Sequence, residues 1–135
     1  MELAAEIGSK LRGGEVIELS SDLGGGKTAF VRGLAAGMGS KDDVRSPSFT
    51  LSNSYSAGEV VLHHFDFYRL SEPGIMREEL AEVCDDPKAV VAVEWAGIVQ
   101  DVLPDERLTI KITISGDNSR HLRFEYPPKL RHLLP

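Results

Sequence analysis

An α/β fold is predicted by three features of this 135-residue chain. A β-prone run, Glu15-Val16-Ile17-Glu18-Leu19-Ser20, leads through the glycine cluster Gly24-Gly25-Gly26 into an amphipathic helix. Ala89-Val90-Val91-Ala92-Val93 has no polar interruption, which marks a strand covered on both faces within a parallel sheet. Two turn clusters, Ser56-Ala57-Gly58 and Gly116-Asp117-Asn118-Ser119, each separate strand-like runs and predict antiparallel hairpins.

The elements follow in order. Leu3, Ala4, Ile7 and Leu11 recur at helical spacing, and Gly13-Gly14 stops that helix. The strand at 15–20 comes next. Beyond the glycines, Phe30, Val31, Leu34, Ala35 and Met38 share one helical face, which Gly37 and Gly39 are expected to end. Residues 48–55 and 59–68 read as the first hairpin. Pro73 opens a third helix that packs through Ile75, Leu80 and Val83. After the buried strand, residues 108–114 and 121–126 read as the second hairpin. A single domain over 1–135 is expected, with 127–135 as a loose end beginning at Pro127-Pro128.

Composition narrows the function classes. Fifteen Lys and Arg against 21 Asp and Glu leave a net charge of −6. Free nucleic-acid binding rests on cations that neutralise phosphates, so the balance argues against it. The lone Cys84 excludes a disulfide framework and a Cys-rich zinc module. No apolar run approaches a membrane span and no signal peptide precedes Leu3, so a soluble, cytoplasmic domain is expected.

The strongest chemical signal is Ser21-Asp22-Leu23-Gly24-Gly25-Gly26-Lys27-Thr28. It matches the phosphate-loop pattern G-x-x-x-x-G-K-[ST] except that Ser21 replaces the first glycine. Glycines let successive backbone N–H groups curl around phosphate oxygens, Lys27 reaches the β and γ phosphates, and the Thr28 hydroxyl can ligate Mg²⁺. The following helix adds unpaired N–H groups and the positive end of its dipole. If position 21 needs a positive φ, serine is strained there; otherwise the loop simply leaves an extended residue.

Such a loop needs an acidic partner on the magnesium side. Glu94 abuts five buried apolar residues and needs a partner of its own. Asp66 is the second candidate, and strand alternation puts His64, Asp66 and Tyr68 on one face. Adjacent His63 and His64 point to opposite faces and cannot share an ion, so both read as structural. Cys84 reads as an inert small residue. Arg69 either approaches a phosphate or pairs with an acid. Arg120 and the basic residues Lys129, Arg131 and His132 read as solvated.

Four blocks in fixed order carry a resemblance. Asp22-Leu23-Gly24-Gly25-Gly26-Lys27-Thr28, Ser46-Pro47-Ser48-Phe49-Thr50-Leu51, His64-Phe65-Asp66-Phe67-Tyr68-Arg69-Leu70 and Glu94-Trp95 together resemble the TsaE (YjeE) family, small ATPases of bacterial tRNA threonylcarbamoyladenosine synthesis. The resemblance runs from about Gly14 to about Arg123. It implies a P-loop NTPase fold with a mixed, mostly parallel central sheet flanked by helices. It also implies ATP and Mg²⁺ as ligands and TsaB and TsaD as partners, with TsaD modifying adenosine 37 of tRNAs reading ANN codons and tRNA met only through the complex. Residue by residue, it makes Lys27 the phosphate lysine, Thr28 and Glu94 the magnesium positions, and Asp66 an acid needed for hydrolysis. Asp22, Gly24, Gly25, Gly26 and Ala29 would complete the nucleotide loop, with Trp95 beside the nucleotide and residues 46–50 resembling a switch I loop near the γ-phosphate.

The chain departs from the family at Ser21, at Gly25 where alanine is usual, and at Ser48 where threonine is commoner. It has no counterpart of the threonine often found ahead of the first helix, which implies weaker nucleotide binding. Other functions fit less well. A small-molecule kinase needs an arginine-bearing lid, and nothing between Gly39 and Val90 resembles one. A GTP switch needs an N-K-x-D stretch, which is missing. The serious rival is a nucleotide-dependent scaffold without turnover.

Overall fold

The apolar run at 89–93 forms one of the two central strands of a six-stranded sheet. The structure is a computed structural model that describes residues 2–21, 27–42, 52–67, 74–114 and 120–135. Helix α1 (Glu2–Ser9) precedes β1 (Val16–Ser21), α2 (Lys27–Met38), β2 (Ser52–Ala57), β3 (Val60–Asp66), α3 (Ile75–Cys84), β4 (Ala89–Glu94), β5 (Leu108–Ile114) and β6 (Arg120–Glu125). Two 3-10 segments, Ala96–Val99 and Pro128–Leu133, complete the described elements. The strand order is β2-β3-β4-β1-β5-β6. The four inner strands run parallel, while β2 and β6 pair antiparallel at the edges. The expected α/β fold with a mixed, mostly parallel sheet, flanking helices and antiparallel hairpins is therefore what forms. The turn expected at 116–119, Pro73 and the strand start at 48–51 lie outside the described residues.

Strand alternation divides the core. Val90 and Ala92 of β4 face a cluster built with α1 and α2, including Ile7, Phe30, Leu34 and Leu62. Val91 and Val93 face a second cluster containing Leu80, Val99 and Phe65. Both faces being covered explains why all six residues of β4 are buried. It also fixes where the strand ends aim. Glu94 continues the α2 side of β4, and His64 and Asp66 continue the Leu62 side of β3, which is the same face.

Two expectations are corrected. Gly37 does not end α2. A Cβ there would lie 2.0 Å from the Ala5 carbonyl oxygen, and one on Gly8 would lie 2.3 Å from that of Leu34. Gly37 is instead the residue that lets the α1 backbone approach α2. Gly39, at φ +92°, ends the helix, and Ser40 N–H donates back to the Ala35 carbonyl at 2.9 Å. The C-terminal segment is not a loose end either. Pro128–Leu133 forms a 3-10 turn that buries Leu130 and Leu133 in the α1–α2 cluster, and Lys10 Nζ donates to the Leu134 carbonyl at 3.3 Å. Two leucines reaching apolar surface outweigh the fraying expected of a polar terminus.

Candidate functional site

The site is assembled where β1, β3 and β4 end beside the start of α2. Parallel strands present their carboxyl ends together, the usual place for a ligand in such a sheet. Lys27 is the first residue of α2 and is buried, 7% exposed. A buried ammonium needs partners. Its Nζ lies 3.5 Å from the Ser21 carbonyl oxygen and 4.2 Å from the centroid of the Trp95 ring. Thr28 and Ala29 follow in the first turn, both partly buried.

Ser21 is the last residue of β1, paired with Ile112. Trp95 is the only non-glycine residue with positive φ among the described residues, so serine carries no such strain at position 21. Trp95 itself sits at φ 57°, ψ 49°, between β4 and the Ala96–Val99 segment. A bulky residue in that conformation costs of order 1–3 kcal/mol and persists only where the surroundings impose it.

Register brings the acids together. Asp66 and Glu94 are direct partners across the parallel β3–β4 pair, and Leu19 of β1 pairs with Glu94 from the other side. Glu94 is 3% exposed, and its Oε2 meets Nε2 of His64, which is fully buried. His64 is thus the partner that the burial of Glu94 demanded, and sequence reasoning had given it only a structural role. His63 points to the opposite face, where burial pushes its pKa below the ordinary histidine value and the charges of Asp86 and Glu79 partly oppose that shift. The two histidines do not converge.

A cavity of about 410 Å³ opens beside these groups, lined by Glu18, Leu19, Ser20, Ser21, Lys27, Trp95, Ala96, Gly97 and Gln100. Its wall is braced by a network that the sequence did not disclose. Arg107 Nε donates to Glu18 Oε1 at 2.9 Å, Gln100 Nε2 donates to Glu18 Oε2 at 2.7 Å, and Arg107 Nη2 donates to Gln100 Oε1 at 2.9 Å. The available signal was Glu18 itself, an acid set between Ile17 and Leu19 in a buried strand.

The donors present suit magnesium shared with phosphates. Among the described residues no group of three His, Cys, Asp or Glu could hold a metal alone. A carboxylate and a hydroxyl are hard oxygen donors, and Mg²⁺ commonly takes one or two such ligands while phosphates and water supply the rest. Asp22, Gly24, Gly25 and Gly26, the segment 46–50, Tyr68 and Arg69 lie outside the described residues, as does the Arg120 side chain. Cys84 does not enter the site. Burial and the adjacent Asp85 push its thiol up to about 11.

Comparison with known proteins gives one answer throughout. The family model for Threonylcarbamoyl adenosine biosynthesis protein TsaE matches residues 1–122. The tRNA threonylcarbamoyladenosine biosynthesis protein TsaE of Bacillus subtilis is 39% identical over 112 residues, covering 82% of this chain and 69% of that protein. The protein of the same name from Treponema pallidum is 35% identical, covering 86% of this chain and 85% of its own. The one from Aquifex aeolicus is 37% identical, covering 91% and 86%. The crystal structure of Bacillus subtilis YdiB superposes with a TM-score of 0.74 at 31% identity, covering 97% of this chain and 81% of that one. The fold is the P-loop NTPase fold. By sequence and by architecture, the chain belongs to the TsaE family of threonylcarbamoyl adenosine biosynthesis proteins.

Proposed function

We propose that the chain is the Mg²⁺-dependent ATP-hydrolysing subunit for forming threonylcarbamoyladenosine at position 37 of tRNAs reading ANN codons, acting in the cytoplasm with TsaB and TsaD type proteins. The observation that carries this reading is Lys27, a lysine buried at the head of α2 whose ammonium meets a carbonyl and an aromatic face. A cation held beside a helix N-terminus after a glycine loop is suited to phosphate.

In this reading Lys27 and the backbone of Asp22, Gly24, Gly25, Gly26, Thr28 and Ala29 grip the triphosphate, and Trp95 flanks the nucleotide. Thr28 and Glu94 hold Mg²⁺, and Asp66 orients the attacking water. Bound Mg²⁺ supplies neutralisation of the charge on the β and γ oxygens. The protein's share of phosphoryl transfer is positioning and electrostatics, so turnover stays low until a partner completes the pocket. The net charge of −6 agrees with other subunits gripping the RNA.

Phosphate release by wild-type protein and Lys27→Ala, alone and with TsaB and TsaD, tests the reading. Wild type should turn over with partners, and the variant should neither bind MgATP nor release phosphate. A full complex that binds ATP without releasing phosphate makes the chain a nucleotide-dependent scaffold instead.

A further inference from the structure

We propose that His64 is a positioning residue for Glu94, holding one carboxylate oxygen so that the other is presented to the cation of the nucleotide site. The proposal rests on the reading of Glu94 as a magnesium ligand. His64 is fully buried on the β3 face that carries Leu62, where a leucine would pack without a polar group to satisfy. Its register partner is Ala92, two residues before Glu94, and that small side chain leaves the imidazole room to lean toward Glu94.

The ring makes one polar contact and no more among the described residues. Nε2 meets Glu94 Oε2, and Nδ1 is buried without a hydrogen-bond partner. An orphaned N–H is costlier than an orphaned lone pair with the same burial, so the tautomer that fits carries its hydrogen on Nε2 and donates it to Glu94. That single bond selects one orientation of the carboxylate. Oε1 then remains for the cation. Outer partners of ligating carboxylates act in this way, and losing one typically weakens metal binding 10–100-fold.

The test is calorimetry of ADP binding with and without Mg²⁺, which needs no turnover. His64→Leu fills the volume without a donor, whereas His64→Gln keeps an N–H near the position of Nε2. His64→Leu should lose about tenfold of the magnesium-dependent gain in affinity while magnesium-free affinity holds, and His64→Gln should retain most of that gain. A His64→Leu protein with the full wild-type gain overturns the proposal, as does an equal loss in both variants. Should His64→Leu fail to fold, His64→Asn replaces it, because its shorter amide reaches the level of Nδ1. A loss with Asn but not Gln supports the proposal, and equal behaviour overturns it. Wild-type protein that gains nothing from Mg²⁺ overturns the magnesium reading of Glu94 and this proposal with it, whereas a wild-type gain that survives in His64→Leu overturns this proposal alone.

Discussion

Asp66 and Glu94 are register partners at the carboxyl ends of β3 and β4, so their carboxylates leave the sheet side by side on the face shared with α2. Two acids so placed are expected to divide the work, and the one whose carboxylate His64 holds is Glu94. Asp66→Asn should slow phosphate release about a hundredfold with little change in MgADP affinity, the size of effect for a water-orienting group. Glu94→Ala should weaken binding with Mg²⁺ more than binding without it. Calorimetry in both conditions, beside phosphate release, separates the roles. Equal losses for Glu94→Ala with and without Mg²⁺ would move the metal to Asp66.

Gly37 and Gly8 are where α1 and α2 touch by backbone alone. Gly37→Ala drives a methyl group against the Ala5 carbonyl, a contact that only separation of the helices can relieve. Overpacking of this kind costs about 1–3 kcal/mol, which exceeds the gain in helix propensity from replacing glycine. Gly97→Ala is the control, because a Cβ there meets nothing within 4 Å. Urea denaturation should show a lowered midpoint for Gly37→Ala and little change for Gly97→Ala. A stabilised Gly37→Ala would contradict the close approach.

Cys84 gives stability a pH dependence on the alkaline side. Its thiol is raised from 9.0 to about 11 by burial and the neighbouring Asp85. Unfolded chain loses that proton above pH 9.0, while folded chain keeps it until about 11. The folded state therefore binds more protons in this window, and stability falls as pH rises through it. Cys84→Ala should flatten that part of the profile when urea midpoints are compared across the window. Parallel slopes for the variant and wild type would assign the loss to other groups.

The sequence disclosed whatever local chemistry determines. Five consecutive apolar residues admit few readings besides a strand covered on both faces, and the strand–glycine–helix order put Lys27 at the head of α2, where it stands. What stayed hidden depends on register or on distant packing. His64 and Glu94 are 30 residues apart, and Arg107 and Glu18 are 89 apart. No periodicity within β1, β3 or β4 states how far each strand slides against the next. Gly37 misled because a glycine that ends a helix and one that admits a neighbouring backbone look alike in a sequence. Leu130, Leu133 and Leu134 misled because three leucines in a short tail that opens on Pro127-Pro128 are too few to show a period.

Trp95 holds its ring over Lys27 at the expense of a left-handed backbone, and the two contributions can be separated. Replacing the ring with a methyl group removes a cation–π contact worth about 0.5–2 kcal/mol and leaves the strained φ in place. Glycine removes the same contact but adopts positive φ without steric penalty. At most positions outside helices and turns glycine is the less stable of the two, through the greater freedom of its unfolded chain. At position 95 the order should invert, with Trp95→Gly more stable than Trp95→Ala by about 1 kcal/mol. Urea midpoints of the two variants decide it. An alanine variant as stable as the glycine variant would mean that the turn after β4 carries no strain, and that the ring alone accounts for tryptophan there.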